Sequence, residues 1–269
     1  MKPRWHKFCL PLLMACCLVS IGHSQTQVAD SKKVLEDARH AYYSLRAAGL
    51  DEFRATVKPN WELVLKDQLK ADPATAQAKL KLLNGIHFSM LLDQTDKVTV
   101  AHHADIAPSN EEQSNSFDDI YSGMDQAMNG FFSTWSLFML HSPVPAPDVP
   151  YTLENLGTQY RLSYKDGGAD VVIMMGKNLI ITDINVNSTE SASSVRPQFV
   201  HTAKGFVLTG YEADYKPTSG PGALKLNIKI DHQPISGLQL PVSLVLDNVM
   251  DGATTHMELA FSEHEVKSH

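Results

Sequence analysis

The side chains best suited to chemistry in this sequence are histidines and carboxylates between residues 87 and 105. His102 and His103 stand beside Asp105, and His87 faces them across a two-segment hairpin. Imidazoles with a carboxylate are typical ligands of a divalent transition ion. Successive side chains on a strand point to opposite faces, so only one of the adjacent histidines can join a given site. No partner stands at the short spacings of a zinc motif. These histidines are therefore read as solvated surface residues, with no metal or other cofactor expected. His264-Glu265 followed by His269 imitates a zinc-protease motif, but its histidines are not one helical turn apart, and the segment reads as a strand ending at a frayed terminus. Asp118 and Asp119 are adjacent carboxylates that read as helix-start residues. Gly220-Pro221-Gly222 lacks the lysine and following apolar helix of a phosphate loop and reads as a turn. No Gly-x-Ser-x-Gly elbow is present. Enzymatic activity is not expected.

The elements that would position any site are legible from periodicity. Ala29 to Ala48 reads as an amphipathic helix, with Ser31 as cap, Val34, Leu35, Ala38, Tyr42 and Leu45 on one face, and Gly49 as stop. A short strand from Phe53 to Val57 follows. Asn60 caps a second helix, and Asp72-Pro73 opens a third that ends near Asn84-Gly85. Ile86 to Asp93 and Lys97 to His103 form a hairpin about residues 94–96. After a polar surface loop from Ser109 to Ser114, a long helix runs from Ser116 to His141, apolar nearly all round from Phe131 onward and hence buried at that end. A Pro-rich connector reaches Pro150. The remainder is an antiparallel meander: Tyr160 to Tyr164, Ala169 to Met175 and Leu179 to Val186, then a polar loop from Asn187 to Arg196. From Gly205 to Val266 the alternation is almost unbroken, with Leu224, Leu226, Ile228 and Ile230 on one face against Lys225, Asn227, Lys229 and Asp231 on the other.

Composition sets the outer limits. The 269 residues allow a sizeable core, and the hydrophobic (43%) and charged (20%) shares are those of a globular chain. Lys2, Arg4 and Lys7 precede an apolar run from Phe8 to Gly22, the pattern of a secretory leader cut near Ser24, before Gln25. The run is short for a membrane span and contains Pro11. Loss of the leader reduces the 23 basic residues by three, to 20 against 30 acidic, and moves the net charge from −7 to near −10. With no basic block, a nucleic-acid partner is not expected. Cys9, Cys16 and Cys17 all lie in the leader. Leu13-Met14-Ala15-Cys16 loosely resembles a lipobox, but the favoured reading is a cysteine-free, unlipidated, soluble protein of the periplasm or cell envelope, with residues 25–269 as one domain.

Val171 to Met175, Leu179 to Ile181 and Phe206 to Tyr215 carry apolar residues on both faces, and Met124, Met128, Met139, Met174, Met175 and Met257 add flexible, polarizable groups. Such a sheet belongs either to a filled core or to a cavity wall, and the residues leave both open.

The leader, the Tyr42-x-x-Leu45 helix ending and the strand beginning at Phe53 resemble the start of the periplasmic lipoprotein-carrier family, the Lol-type half-barrel proteins. Gly205-Phe206-Val207-Leu208, Ser236-Gly237-Leu238-Gln239-Leu240-Pro241, the Asp251-Gly252 turn and Met257 to Ser262 are similar to its closing section. The helices between Asn60 and Asn84 depart from the family's pattern. The resemblance implies an α+β fold: a strongly curved antiparallel sheet, a half-open barrel, with helices over its concave face and acyl chains between. The residues expected to line that slot are Met128 and Trp135 on the long helix and Ile173, Met175, Phe206 and Leu208 on the middle strands. The closing strands add Leu226, Ile228, Leu244, Leu246, Leu259 and Phe261. The function expected is a non-enzymatic carrier or sensor of lipid or lipoprotein acyl chains, with a membrane-associated partner. The competing readings are an exported interaction module with a filled core and a hydrolase or metal enzyme without a local motif.

Overall fold

The computed structural model describes residues 19–269 except 220, 221 and 251, with side chains from residue 30 onward. Residues 1–18, which hold the three cysteines and most of the expected leader, and the Gly220-Pro221 pair lie outside the described residues. Among the described residues five helices, α1 (Val19–Ala41), α2 (Trp61–Val64), α3 (Lys66–Ala71), α4 (Pro73–Asn84) and α5 (Glu111–Met139), accompany twelve strands. The first three strands are β1 (Leu50–Pro59), β2 (Ile86–Leu92) and β3 (Val98–Ala104). After α5 come β4 (Tyr151–Asn155), β5 (Gln159–Asp166), β6 (Ala169–Gly176), β7 (Ile181–Asn187), β8 (Ser191–Thr202) and β9 (Gly205–Pro217). The last three are β10 (Leu224–Ile235), β11 (Leu238–Met250) and β12 (Ala253–Ser268).

All twelve strands form one antiparallel sheet in the order β3-β2-β1-β12-β11-β10-β9-β8-β7-β6-β5-β4. The α+β class is as expected. The strong curvature is not: the sheet is neither closed nor strongly curled. Alternation specifies which face is apolar, whereas curling depends on twist and bulges accumulated over many strands. No helix among the described residues is long and apolar enough to cross a membrane.

α5 lies across the sheet. Tyr121 meets Phe88 of β2, Phe132 meets Phe53 of β1 and Phe261 of β12, Trp135 meets His232 of β10, and Phe138 meets Phe199 of β8. From Tyr121 to Phe138 the helix rises roughly 26 Å, at about 1.5 Å per residue. Six strand spacings separate β2 from β8, roughly 29 Å at about 4.8 Å each. The match means the helix runs nearly perpendicular to the strands. Its buried stripe of Phe117, Met124, Met128, Phe131, Phe132, Trp135, Phe138 and Met139 follows three- and four-residue spacing. Leu137 is exposed, so the end expected to be buried all round keeps one solvent-facing side.

Several boundaries differ from expectation for local reasons. α5 begins at Glu111 inside the presumed polar loop. Asn110 caps it by accepting from Gln113 N, and Gln113 Oε1 accepts from Ser109 N, a reciprocal arrangement that a polar run conceals. Asp118 and Asp119 therefore sit inside the helix and not at its start. α1 ends at Ala41 because Tyr42 bridges to Phe206 of β9 and its hydroxyl spans Leu179 O and Ile181 N. β8 occupies most of the expected 187–196 loop, and β4 follows the Pro-rich connector. β12 does not fray before His264: it runs to Ser268, paired with Leu50 of β1. The caps at Asn60 and Asp72 are as read.

Gly205 is where α1 meets β9. Its φ is +112°, and a Cβ there would lie 2.8 Å from Ala41 O and 3.0 Å from Tyr43 N. Gly205→Ala is expected to cost more than about 1 kcal/mol, since both the left-handed backbone and the close approach oppose a side chain. The urea midpoint measures it, and an unchanged midpoint would show that this junction is loose.

Candidate functional site

The helix-covered face of the sheet changes from buried to exposed along single strands while staying largely apolar, with Ser193 and Asn248 as polar interruptions. On β10, Ile230 and Ile228 are buried under α5, while Leu226 and Leu224, further from the helix on the same face, are half-buried. On β9, Tyr211 is 1% exposed and Tyr215 43%. On β11, the sequence runs from Leu244 (0%) and Leu246 (7%) through Asn248 to Met250 (52%). Side chains two residues apart share a face. Tyr215, Leu224 and Met250 are direct cross-strand partners, as are Ala213, Leu226 and Asn248 in the row above.

These rows continue toward β4. Leu153, Leu162, Ile173, Ile184, Val195 and Ala213 are paired in succession across β4 to β9, and Tyr151, Tyr164, Val171, Val186, Ser193 and Tyr215 run parallel to them. Leu162 and Ile173 are fully buried, whereas Val195 and Ala213 are half-buried. Burial, and secondarily Asp166, push the Tyr164 phenol above its ordinary value, the sign of a poorly hydrated surround. The result is an apolar apron at the lower ends of β8 to β11, continuous with the core and open where α5 does not reach. Along it β9, β10 and β11 each have a paired strand on both sides. The apron thus offers apolar side chains and no free backbone edge.

Of the twelve residues expected to line a slot, eleven (all but Leu226) lie in one packed hydrophobic core. Met128, Trp135, Ile173, Leu208 and Leu244 have no exposure, and Met175, Phe206, Ile228, Leu246, Leu259 and Phe261 have 9% or less. Leu226 is half-buried, on the apron. Tyr215, Leu224 and Met250 were not among them, although Leu224 carries the same alternation signal as Ile228. Pattern alone marks the face and not its cover.

Trp135 Nε1 donates to His232 Nε2 at 3.2 Å, with the rings stacked at an interplanar angle of 14°. Desolvation lowers the His232 pKa from 6.5 to about 4, against a weaker opposing pull from Asp231. This ring acts as a core acceptor. Burial pushes the nearby Tyr211 phenol up to about 12, the hydrogen bond with Thr134 opposing.

The histidines of the β2–β3 hairpin divide as strand geometry requires. His102 stacks on Tyr121 of α5, ring centroids 3.7 Å apart, and His103 faces the other way, beside His87 and near Asp105. His264 is not part of a zinc-protease pair: its Nε2 lies 2.9 Å from Pro241 O, and its ring stacks on Phe53.

No family model, curated protein or solved structure matches the chain.

Proposed function

We propose that this protein is a non-enzymatic carrier or sensor, exported to the periplasm or cell envelope, that holds acyl chains of a lipid or lipoprotein along the apolar apron. One observation carries the reading: the apolar face of β9 to β11 continues past α5 into solvent at Tyr215 and Met250, with half-buried Leu224 between them. Each methylene buried there contributes roughly 0.8 kcal/mol. Because the strands along the apron are paired on both sides, an added β-strand has no hydrogen-bonding edge to join, which favours an apolar chain over an extended peptide. The ligand rests on an open sheet and not within a half-barrel, and the similarity to lipoprotein carriers then concerns cargo chemistry.

A second reading, an interaction module with a filled core, draws on the burial of the eleven core residues expected to line a slot. Titration with a fluorescent fatty acid separates the two. The carrier binds saturably, and Tyr215→Glu combined with Met250→Glu lowers affinity at least tenfold while shifting stability by less than about 1 kcal/mol, as exposed sites do. Absence of saturable binding to the wild type, or equal affinity in the double variant, would sink the carrier.

A further inference from the structure

We propose that His87, His103 and Asp105 form a binding site for a divalent transition ion of the zinc type, on the face of the sheet opposite α5. The two histidines are direct cross-strand partners in the β2–β3 hairpin, with ring centroids 4.7 Å apart and an interplanar angle of 25°. His87 Nε2 lies 3.0 Å from Asp105 Oδ1, and one ligand atom from each of the three residues lies within 4.8 Å of the others. The backbone fixes their positions. Asp105 N donates to Gly85 O at 2.9 Å, and a Cβ at Gly85 would lie only 3.4 Å from Asp105 Oδ2, so the aspartate is seated against the start of β2. On the other face the His102–Tyr121 stack ties β3 to α5. A strand pair anchored in this way holds two imidazoles at a set separation.

Two nitrogen ligands and one carboxylate select a borderline divalent ion such as Zn2+ over Ca2+ or Mg2+, which take oxygen ligands. All three residues face solvent, so the remaining coordination positions are open to water or to a ligand from outside the chain.

The adjacent histidines supply an internal control. ZnCl2 is titrated calorimetrically into the full chain and three variants at neutral pH. His103→Ala and Asp105→Asn are expected to weaken one site at least tenfold, no less than a residue outside the ligand set commonly costs. His102→Ala, on the opposite face, should leave that site unchanged. The leader cysteines are common to every variant, so the difference between variants isolates the triad. Unchanged urea midpoints establish that the variants are folded, and His87→Gln stands in for any that is not. Equal weakening by His102→Ala, or no difference between wild type and His103→Ala, overturns the assignment.

Discussion

Replacing Trp135 with alanine is expected to destabilise the fold by about 3–5 kcal/mol, the range for truncating a large buried aromatic side chain. The indole has no exposure and sits among Phe53, Phe131, Phe132 and His232, at the point where α5 crosses from β12 to β10. At roughly 2–4 °C per kcal/mol for a chain of this size, the melting temperature falls by about 6–20 °C. Trp135→Phe divides the effect: it keeps most of the apolar volume but removes the N–H donated to His232, leaving a buried acceptor unpaired at a cost of about 1–3 kcal/mol. A fall of less than about 2 °C in the alanine variant would mean that α5 does not hold the sheet.

Acid should act through the same contact. His232 has a folded pKa of about 4 against 6.5 in the unfolded chain. Between these values the unfolded state carries a proton that the folded state does not, so stability rises with pH across the window. Its full contribution is present above about pH 6.5 and is lost as the pH falls toward 4. The drop corresponds to about 3 kcal/mol if the ring were wholly buried, and nearer 2 kcal/mol given its partial solvent access. The hydrogen bond gives the same sign, since protonated Nε2 cannot accept from Trp135. Other groups also titrate here, so the measurement is the difference between the stability–pH curves of the wild type and His232→Gln. A difference that stays flat from pH 7 to pH 4 would mean that His232 is already solvated.

How much of this was legible in the residues depended on whether the signal was local. Leu224 to Ile230 alternate because one face is apolar, and the strand is there. Asn60 and Asp72-Pro73 cap the helices they precede, and the hairpin centre at Thr95 sets His87 opposite His103. The start of α5 was missed because Asn110 and Gln113 lie in a run of polar residues that resembles a loop. The end of α1 was missed because its cause, Phe206, lies far along the chain. The first half of β8, up to Arg196, resembles a loop because Ser191, Ser193, Ser194 and Arg196 are polar, although the strand lies inside the sheet with neighbours on both sides. The apron shows the same limit: Ile228 and Leu224 have the same local pattern, and only the path of α5 distinguishes core from open surface.

The pairing of β1 with β12 has a consequence in time. Thr56 Oγ1 donates to Glu263 across 207 positions, and β1, paired with β2 on one side, finds its second partner only in β12. While the ribosome is still short of residue 253, the hairpin of β2 and β3 can extend β1 on one side, but the other edge of β1 stays bare and the sheet cannot be completed. Pairing over so long a separation is slow to nucleate even though its entropic cost grows only logarithmically. An incomplete chain therefore exposes both the apolar face and a strand edge, the conditions under which nascent chains need a chaperone.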